Sequence, residues 1–449
     1  MNYDDIKRMA KDIGCRVGDL VALSPNNDPF YVGTESDKTL ARWFKGLWDE
    51  YGYDYGVHIR RVHYQLVSQS PPPMMPNGDP YHNTEKCWGF ISEAAKAARY
   101  LGLVDPGAFV DRRNPDPHIY SNPPAEPSIN VDTYGFSDVT LPQFPDMPRY
   151  TIYDYDTIQP INIEIWCEKS TMNDILLPIC QGRSVNLVTG LGELSLTATL
   201  NAVKRIEDVG KPTRILYISD FDPAGQTMPV SVSRKLEYFI KDRGLDQDIQ
   251  LIPIMLTQEQ IQQYHLPRIP IKETERRKAR FELEFGTGAV ELDALEALHP
   301  GVLRRLVRSW VAKFQDENLE SNTEESRTDL VNELRSTRNE VIASHKDELD
   351  DLRKEYNVLK EEYEDRIINL SGRITDIYNI ISEEMQDAMP DIQNHLQPEG
   401  DITYYHPDPL FDSSRGYVDQ MQSYKKFQGG DKFTRFSAIQ DDIDCDGID

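Results

Sequence analysis

Two aspartates, one residue apart, end an almost wholly apolar run in RILYISDFDPAG, residues 214–225. In an extended strand the side chains at i and i+2 point the same way. Asp220 and Asp222 therefore project together where the run stops, and Pro223 and Gly225 turn the chain away. Carboxylates this close repel one another unless a cation lies between them. Hard oxygen donors suit Mg²⁺, with Mn²⁺ as the second choice. The competing reading is a solvated turn with one aspartate capping the next helix. A third carboxylate, Glu168, ends another apolar run in INIEIWCEKS, 161–170. On a parallel sheet both run ends open on one crevice. Glu168, Asp220 and Asp222 then make an acidic metal site, with Lys169 beside it to hold phosphate. The GLGE turn at 190–193 can bring backbone N–H groups near.

Such a site needs a sheet to hold it. Apolar runs at 161–168, 184–189, 214–219 and 249–257 read as strands. They alternate with helical patterns at 194–206 and 226–242, where Pro229 must sit in a first turn. That alternation predicts an α/β fold with a mostly parallel sheet covered on both faces, over residues 159–320. Upstream, LARWFKGLWDEY (40–51), HIRRVHYQLV (58–67) and NTEKCWGFISEAAKAARYLGLV (83–104) read as three helices. SQSPPPMMPNGDP (68–80) is a loop. Residues 36–121 suit a winged-helix or helix-turn-helix module, or a small helical domain of unspecified use. Residues 1–35 are a weakly patterned extension, and 122–158 a Pro-rich linker or extended wrap.

From 321 to 386 the chain is charge-rich and lacks proline. Leu349, Leu352, Tyr356, Leu359 and Tyr363 follow 3–4 spacing. Ile367, Leu370, Ile374, Ile377 and Ile381 resume it after one extra four-residue step. This predicts a coiled coil with a stutter or a long helical hairpin; the stripe serves either self-association or packing on its own chain. The remaining segment, 387–449, includes YKKFQGGDKFTRF (424–436), whose interleaved basic and aromatic residues suit nucleic-acid stacking or a folded surface. It ends in an acidic stretch, DDIDCDGID (441–449), read as a disordered tail.

The order strand-Glu168-Lys169, strand-Thr-Gly-x-Gly (189–192), strand-Asp-x-Asp-Pro-x-Gly (220–225) resembles a Toprim domain. More narrowly, it resembles that of topoisomerase VI A subunits and the meiotic double-strand-break transesterases. The resemblance covers roughly residues 40–315 and implies a winged-helix domain ahead of the Toprim domain. It also implies Mg²⁺ held by Glu168, Asp220 and Asp222 for phosphoryl transfer on double-stranded DNA. The family's nucleophilic tyrosine ends a run resembling Arg-Asp-x-Tyr/Phe-Tyr. Here the run is Arg60-Arg61-Val62-His63-Tyr64: Arg60 and Tyr64 match, Arg61 replaces the aspartate, and His63 the penultimate aromatic. Tyr64 is thus the implied nucleophile, assisted by Arg60, Arg61 or His63. The product is a 5′ phosphotyrosine ester. The resemblance further implies a homodimer in which one subunit's tyrosine meets the other's metal, and ATP binding by a separate B-type subunit. A stand-alone branch is the other option.

The 449 residues suffice for two or three domains, and 39% apolar content supports a sizeable core. A formal net charge of −26 argues against a general nucleic-acid coat. DNA binding then requires local basic groups: Arg60 with Arg61, Arg112 with Arg113, Arg276 to Lys278, and Arg304 with Arg305 and Arg308. Five scattered cysteines without a CxxC pair argue against a disulfide framework or a four-thiolate zinc site. An apolar signal core and membrane-length segments are not seen, so an intracellular protein, cytoplasmic or nucleoid-associated, is expected. No G-x-x-x-x-G-K-[ST] loop is present. Competing functions are a Toprim nuclease that uses water with Tyr64 structural, a non-catalytic DNA-binding protein with a decayed site, and, ranked lower, primase-type chemistry.

Overall fold

The computed structural model describes residues 2–110, 116–121, 127–132, 144–190, 194–362, 364–392 and 408–429. Arg112, Arg113, residues 191–193, Tyr363, the Ile367 side chain and the acidic tail lie outside the described residues. In chain order come helices α1 (Tyr3–Ile13), α2 (Glu35–Glu50), α3 (Ile59–Val67) and α4 (Glu85–Tyr100). Strands β1 (Ser128–Asp132), β2 (Arg149–Tyr153) and β3 (Asn162–Cys167) follow. Then α5 (Asn173–Arg183), β4 (Asn186–Thr189), α6 (Leu196–Val209), β5 (Thr213–Ile218), α7 (Met228–Arg243) and β6 (Ile249–Met255) alternate. Next are α8 (Gln258–Gln263), α9 (Lys278–Phe285), α10 (Leu292–Leu298) and α11 (Val302–Ala312). Helices α12 (Leu319–Ser344), α13 (Lys346–Glu362) and α14 (Glu364–Asp387) precede β7 (Phe411–Asp412) and α15 (Tyr417–Phe427).

The chain forms two units: Met1–Ser121 with Ile161–Phe314 and Tyr404–Asp449, and Asn122–Pro160 with Gln315–Thr403. The first holds a five-stranded, mostly parallel sheet in the order β4-β3-β5-β6-β7, with only β7 antiparallel to its neighbour. The fold class is therefore mixed α/β, and the four expected strands are all present. Every residue of β3 and β5 is buried. Strands covered on both faces need continuous apolar runs rather than alternation, which is why these segments were legible. On one face Trp166, Ile215 and Tyr217 pack with Val203 and Ile206 of α6 and Val232 and Leu236 of α7. On the other Ile165, Leu216 and Ile218 pack with Leu176 of α5, Leu295 of α10 and Leu303 and Val307 of α11. Each such aliphatic side chain stabilises the sheet by about 1.5–3 kcal/mol on burial.

Glu164 sits on β3 and is wholly buried. Arg205 of α6 grips it through Nε at 2.9 Å and Nη2 at 2.8 Å, and Trp166 Nε1–H donates at 2.8 Å. The helices α2 and α4 pack against each other around Phe44, Trp48, Ile91 and Ala98. Among the described residues of 36–121 there is no strand pair to form a wing; isolated bridges join Val57 to Phe109 and Met74 to Pro80. The first 35 residues are more ordered than their weak pattern suggests. Asn2 and Asp5 form a capping box for α1, and Ile6, Ala10 and Phe30 enter the core.

Arg234 of α7 is fully buried and fastens two distant stretches to its own helix. It donates to Asp28 from Nη2 at 2.9 Å and Nε at 3.2 Å, to Glu237 at 2.7 Å and to the Tyr417 hydroxyl at 2.9 Å. Phe30, Tyr417 and Tyr424 stack around its guanidinium.

In the second unit the heptad stripe packs on its own chain. Leu349, Leu352 and Tyr356 of α13 meet Leu370, Ile374, Ile377 and Ile381 of α14. Arg373 pairs with Glu355 at 2.9 Å and His345 with Glu384 at 2.5 Å, so the helices run antiparallel. Helices α13 and α14 thus form a helical hairpin, one of the two arrangements expected for this stripe. The Pro-rich stretch contributes β1 and β2, an antiparallel pair, and Tyr150 donates its hydroxyl to the Met385 carbonyl at 2.8 Å. Among the described residues no helix is long and apolar enough to cross a membrane.

Candidate active site

Strands β3 and β5 are parallel neighbours, with Cys167 beside Ile218. The ladder runs one residue further: Glu168 N–H donates to the Ile218 carbonyl at 2.9 Å. Glu168 and Asp220 thus leave adjacent strands at the same edge, and Asp220 N–H lies 3.4 Å from Glu168 Oε2. Phe221 exchanges two backbone bonds with Val290, both 2.9 Å, and its ring packs on Phe281 and Phe285. That anchor fixes the two aspartates on either side of it. Asp222 Oδ1 accepts the Gly225 N–H at 2.6 Å. A side chain at Gly225 would put its Cβ 1.9 Å from the Asp220 carbonyl oxygen, so the turn demands glycine.

Two carboxylates that sequence reasoning missed join the site. The Phe221–Val290 bridge brings Glu291 and Asp293 to the same edge, and Leu292 N–H donates to Asp220 Oδ1 at 2.7 Å. Lys169 places its ammonium among them, 3.0 Å from Asp220, 3.1 Å from Glu291 and 2.6 Å from Asp293. The expected phosphate-holding lysine is occupied with carboxylates. The Glu-x-Asp spacing at 291–293, echoing Asp-x-Asp at 220–222, was the available signal.

One lysine does not balance this group. Burial, followed by the charge of Asp220, pushes the Glu168 carboxyl up to about 7. Burial also raises Asp220, against the Leu292 N–H and Lys169, which lower it. Burial opposes the charge of Lys169, but Asp293, Asp220 and Glu291 outweigh it and hold the ammonium above its usual range. Among the described residues Glu168 and Asp222 form no ion pair, and no three His, Cys, Asp or Glu side chains stand as a ready metal cage. The donor set nevertheless fits a divalent cation in kind: hard oxygens, an excess of negative charge, and a carboxyl that burial and its aspartate neighbours push up to about 7.

Tyr64 stands elsewhere. It is 61% exposed on α3, so it does not anchor that helix in the core. It lines a cleft of about 1290 Å³ together with Arg60, His63, Trp88, Arg99 and Ser195, and none of the carboxylates reaches that lining. Arg61 is exposed and lies over the Tyr53 ring, 5.7 Å from its centroid. His63 is buried: Nδ1 lies 2.7 Å from the Tyr81 hydroxyl and Nε2 lies 3.2 Å from Asn83 Oδ1. A proton on Nε2 satisfies both bonds and leaves neither nitrogen for proton transfer. The structure therefore joins Glu168, Lys169, Asp220 and Asp222 at one edge and Arg60, His63 and Tyr64 at another. No protein-family model matches the chain, and no curated protein matches it.

Proposed function

We propose that the protein is a DNA-cleaving enzyme of the topoisomerase VI A type. In this reading the β3–β6 sheet is its Toprim domain, α2 to α4 are the helical part of its winged-helix module, and a homodimer acts on double-stranded DNA. A separate B-type subunit would bring ATP. The supporting observation is the convergence of Glu168, Asp220 and Asp222 at the carboxyl ends of adjacent parallel strands with more negative charge than Lys169 balances. Those three residues would hold Mg²⁺ or Mn²⁺, which supplies Lewis-acid stabilisation of charge at a scissile phosphate. Tyr64 Oη forms the bond to phosphorus as the bond from phosphorus to the 3′ oxygen breaks. The phenolic proton passes to solvent and the leaving oxygen takes one up. Arg60, in the same cleft, holds the phosphate by charge, and His63 fixes α3 through Tyr81 and Asn83.

The test incubates the full chain with supercoiled plasmid and Mg²⁺ or Mn²⁺, with and without ATP, then quenches with denaturant and digests with protease. Cut DNA whose migration depends on protease is the expected result, and Tyr64→Phe abolishes it. A second reading is favoured by the absence of the carboxylates from the Tyr64 cleft: a nuclease that uses water, in which Tyr64→Phe cuts normally and no adduct forms. Uncut plasmid under every condition overturns both and leaves a DNA-binding protein.

A further inference from the structure

The chain carries a net −26, yet one concavity in its first unit is strongly basic. A cavity of about 1220 Å³ is lined by seven basic side chains against two acidic ones. The basic residues come from separate stretches: Lys96 from α4, Lys235 from α7, Arg276, Arg277 and Arg280 around the start of α9, and Lys425 from α15. Arg99 is the seventh. Both acidic residues are already engaged, Glu93 by Lys96 at 2.5 Å and Glu275 by Arg277 at 2.8 Å. Among the described residues Arg276, Arg280 and Lys425 form no direct ion pair, although Lys425 feels the charge of Asp19. Lys425 is half-buried, and burial lowers its ammonium from the usual value against the charge of Asp19, while Arg280 beside it adds to the lowering, so an anion bound here would favour its charged form.

The cavity's position narrows what that anion is. It shares Ser92, Arg99, Ser195 and Leu196 as walls with the Tyr64 cleft. It shares Thr227, Arg277 and Arg280 with a smaller cleft lined by Pro223 and Gln226, in the turn that follows Asp222. Arg277 donates to the Thr227 hydroxyl at 2.7 Å, and that hydroxyl donates to the Pro223 carbonyl. A line of cations thus leads from the tyrosine to the Asp-x-Asp turn. A single anion does not need seven cations drawn from four elements; a run of phosphates does.

We propose that this cavity seats a chain of closely spaced phosphates, the DNA backbone flanking the cut if the function above holds. That source rests on the proposed function; the phosphate chemistry does not. The same contacts serve a free oligophosphate, so the experiment carries both probes.

Arg276 and Arg280 are exposed, and reversing them does not threaten the core. The full-length Arg276→Glu, Arg280→Glu double variant is compared with wild type and with Arg353→Glu, Lys354→Glu, an equal charge change on the exposed face of α13. Fluorescence anisotropy with a labelled 20-base-pair duplex is read without divalent cation across salt concentrations. A parallel calorimetric titration uses inorganic tripolyphosphate. The expected result is duplex affinity at least tenfold weaker in the 276/280 variant at about 0.1 M salt. Its salt slope falls by roughly two, since each phosphate contact contributes about 0.9, and the 353/354 variant stays near wild type. Duplex binding that both variants retain or lose equally overturns the cavity assignment while the DNA reading stands. If wild type binds tripolyphosphate but no duplex, and the 276/280 variant loses it, the cavity stands and the DNA reading falls. If wild type binds neither probe, the cavity assignment is overturned.

Discussion

Glu164 and Glu168 lie four residues apart on and just beyond β3, and the molecule treats them oppositely. For Glu164 burial raises the carboxyl, but the charge and paired bonds of Arg205, with the Trp166 N–H, outweigh it and hold the group below its ordinary range. Glu168 is less buried, yet receives one long backbone N–H, two neighbouring aspartates and no cation of its own, and it rises to about 7. One glutamate completes the core. The other is held where its charge is uncompensated. A carboxylate at a strand end is informative when the protein withholds its partner, not merely because it is acidic.

Three changes probe that contrast. The largest effect is expected from Asp220→Asn, which keeps the acceptor for the Leu292 N–H but removes the charge. Plasmid cleavage falls about a thousandfold or more, roughly 4 kcal/mol of barrier, while urea unfolding stays within about 0.5 kcal/mol of wild type. A matching loss of stability would mean that the edge carboxylates are structural, as Glu164 is.

Glu164→Ala comes next. It leaves Arg205 buried without its partner, and breaking a buried pair in this way costs about 3–5 kcal/mol in urea unfolding. Cleavage per folded molecule is unchanged. A loss below about 1 kcal/mol would erase the distinction between the two glutamates.

The smallest effect is on pH dependence, measured in chelator. Glu168 has a raised folded value, so between about 4.5 and 7 the folded chain keeps a proton that the unfolded chain has released. Its contribution to stability is full at acid pH and declines as pH rises through that window. Glu164 has a depressed folded value, so its contribution is present above the ordinary carboxylate range and is lost as pH falls through the folded value. Glu168→Gln should flatten the 4.5–7 slope and leave the acid limb in place. An unchanged slope would show that Glu168 does not carry it.

The central sheet was legible because its strands are buried on both faces and so are mostly apolar. The aspartate pair and Glu168 were legible because they end such runs. Strand β7 was not: two residues carry no periodicity, and Phe411 and Asp412 pair with Leu251 and Gln250 only through the tertiary fold. Helix α1 was signalled by Asn2 and Asp5, a capping pair that apolar patterning alone overlooks. Glu291 and Asp293 needed a partner more than 120 positions away, Lys169, before they meant anything. The basic cavity draws one to three residues from each of four separate stretches, and no window of sequence contains it.

Arg234 has a consequence for how the chain is completed. Its partners include Asp28, made long before it, and Tyr417, made 183 residues after it. A ribosome-bound chain that has finished the whole sheet still carries a guanidinium that is only partly satisfied in a closing interior. Shortened forms that end before α15 should therefore be handled by quality control as unfinished proteins even though every strand of the parallel sheet is present. Helix α15 acts as a seal on the assembly of the first unit.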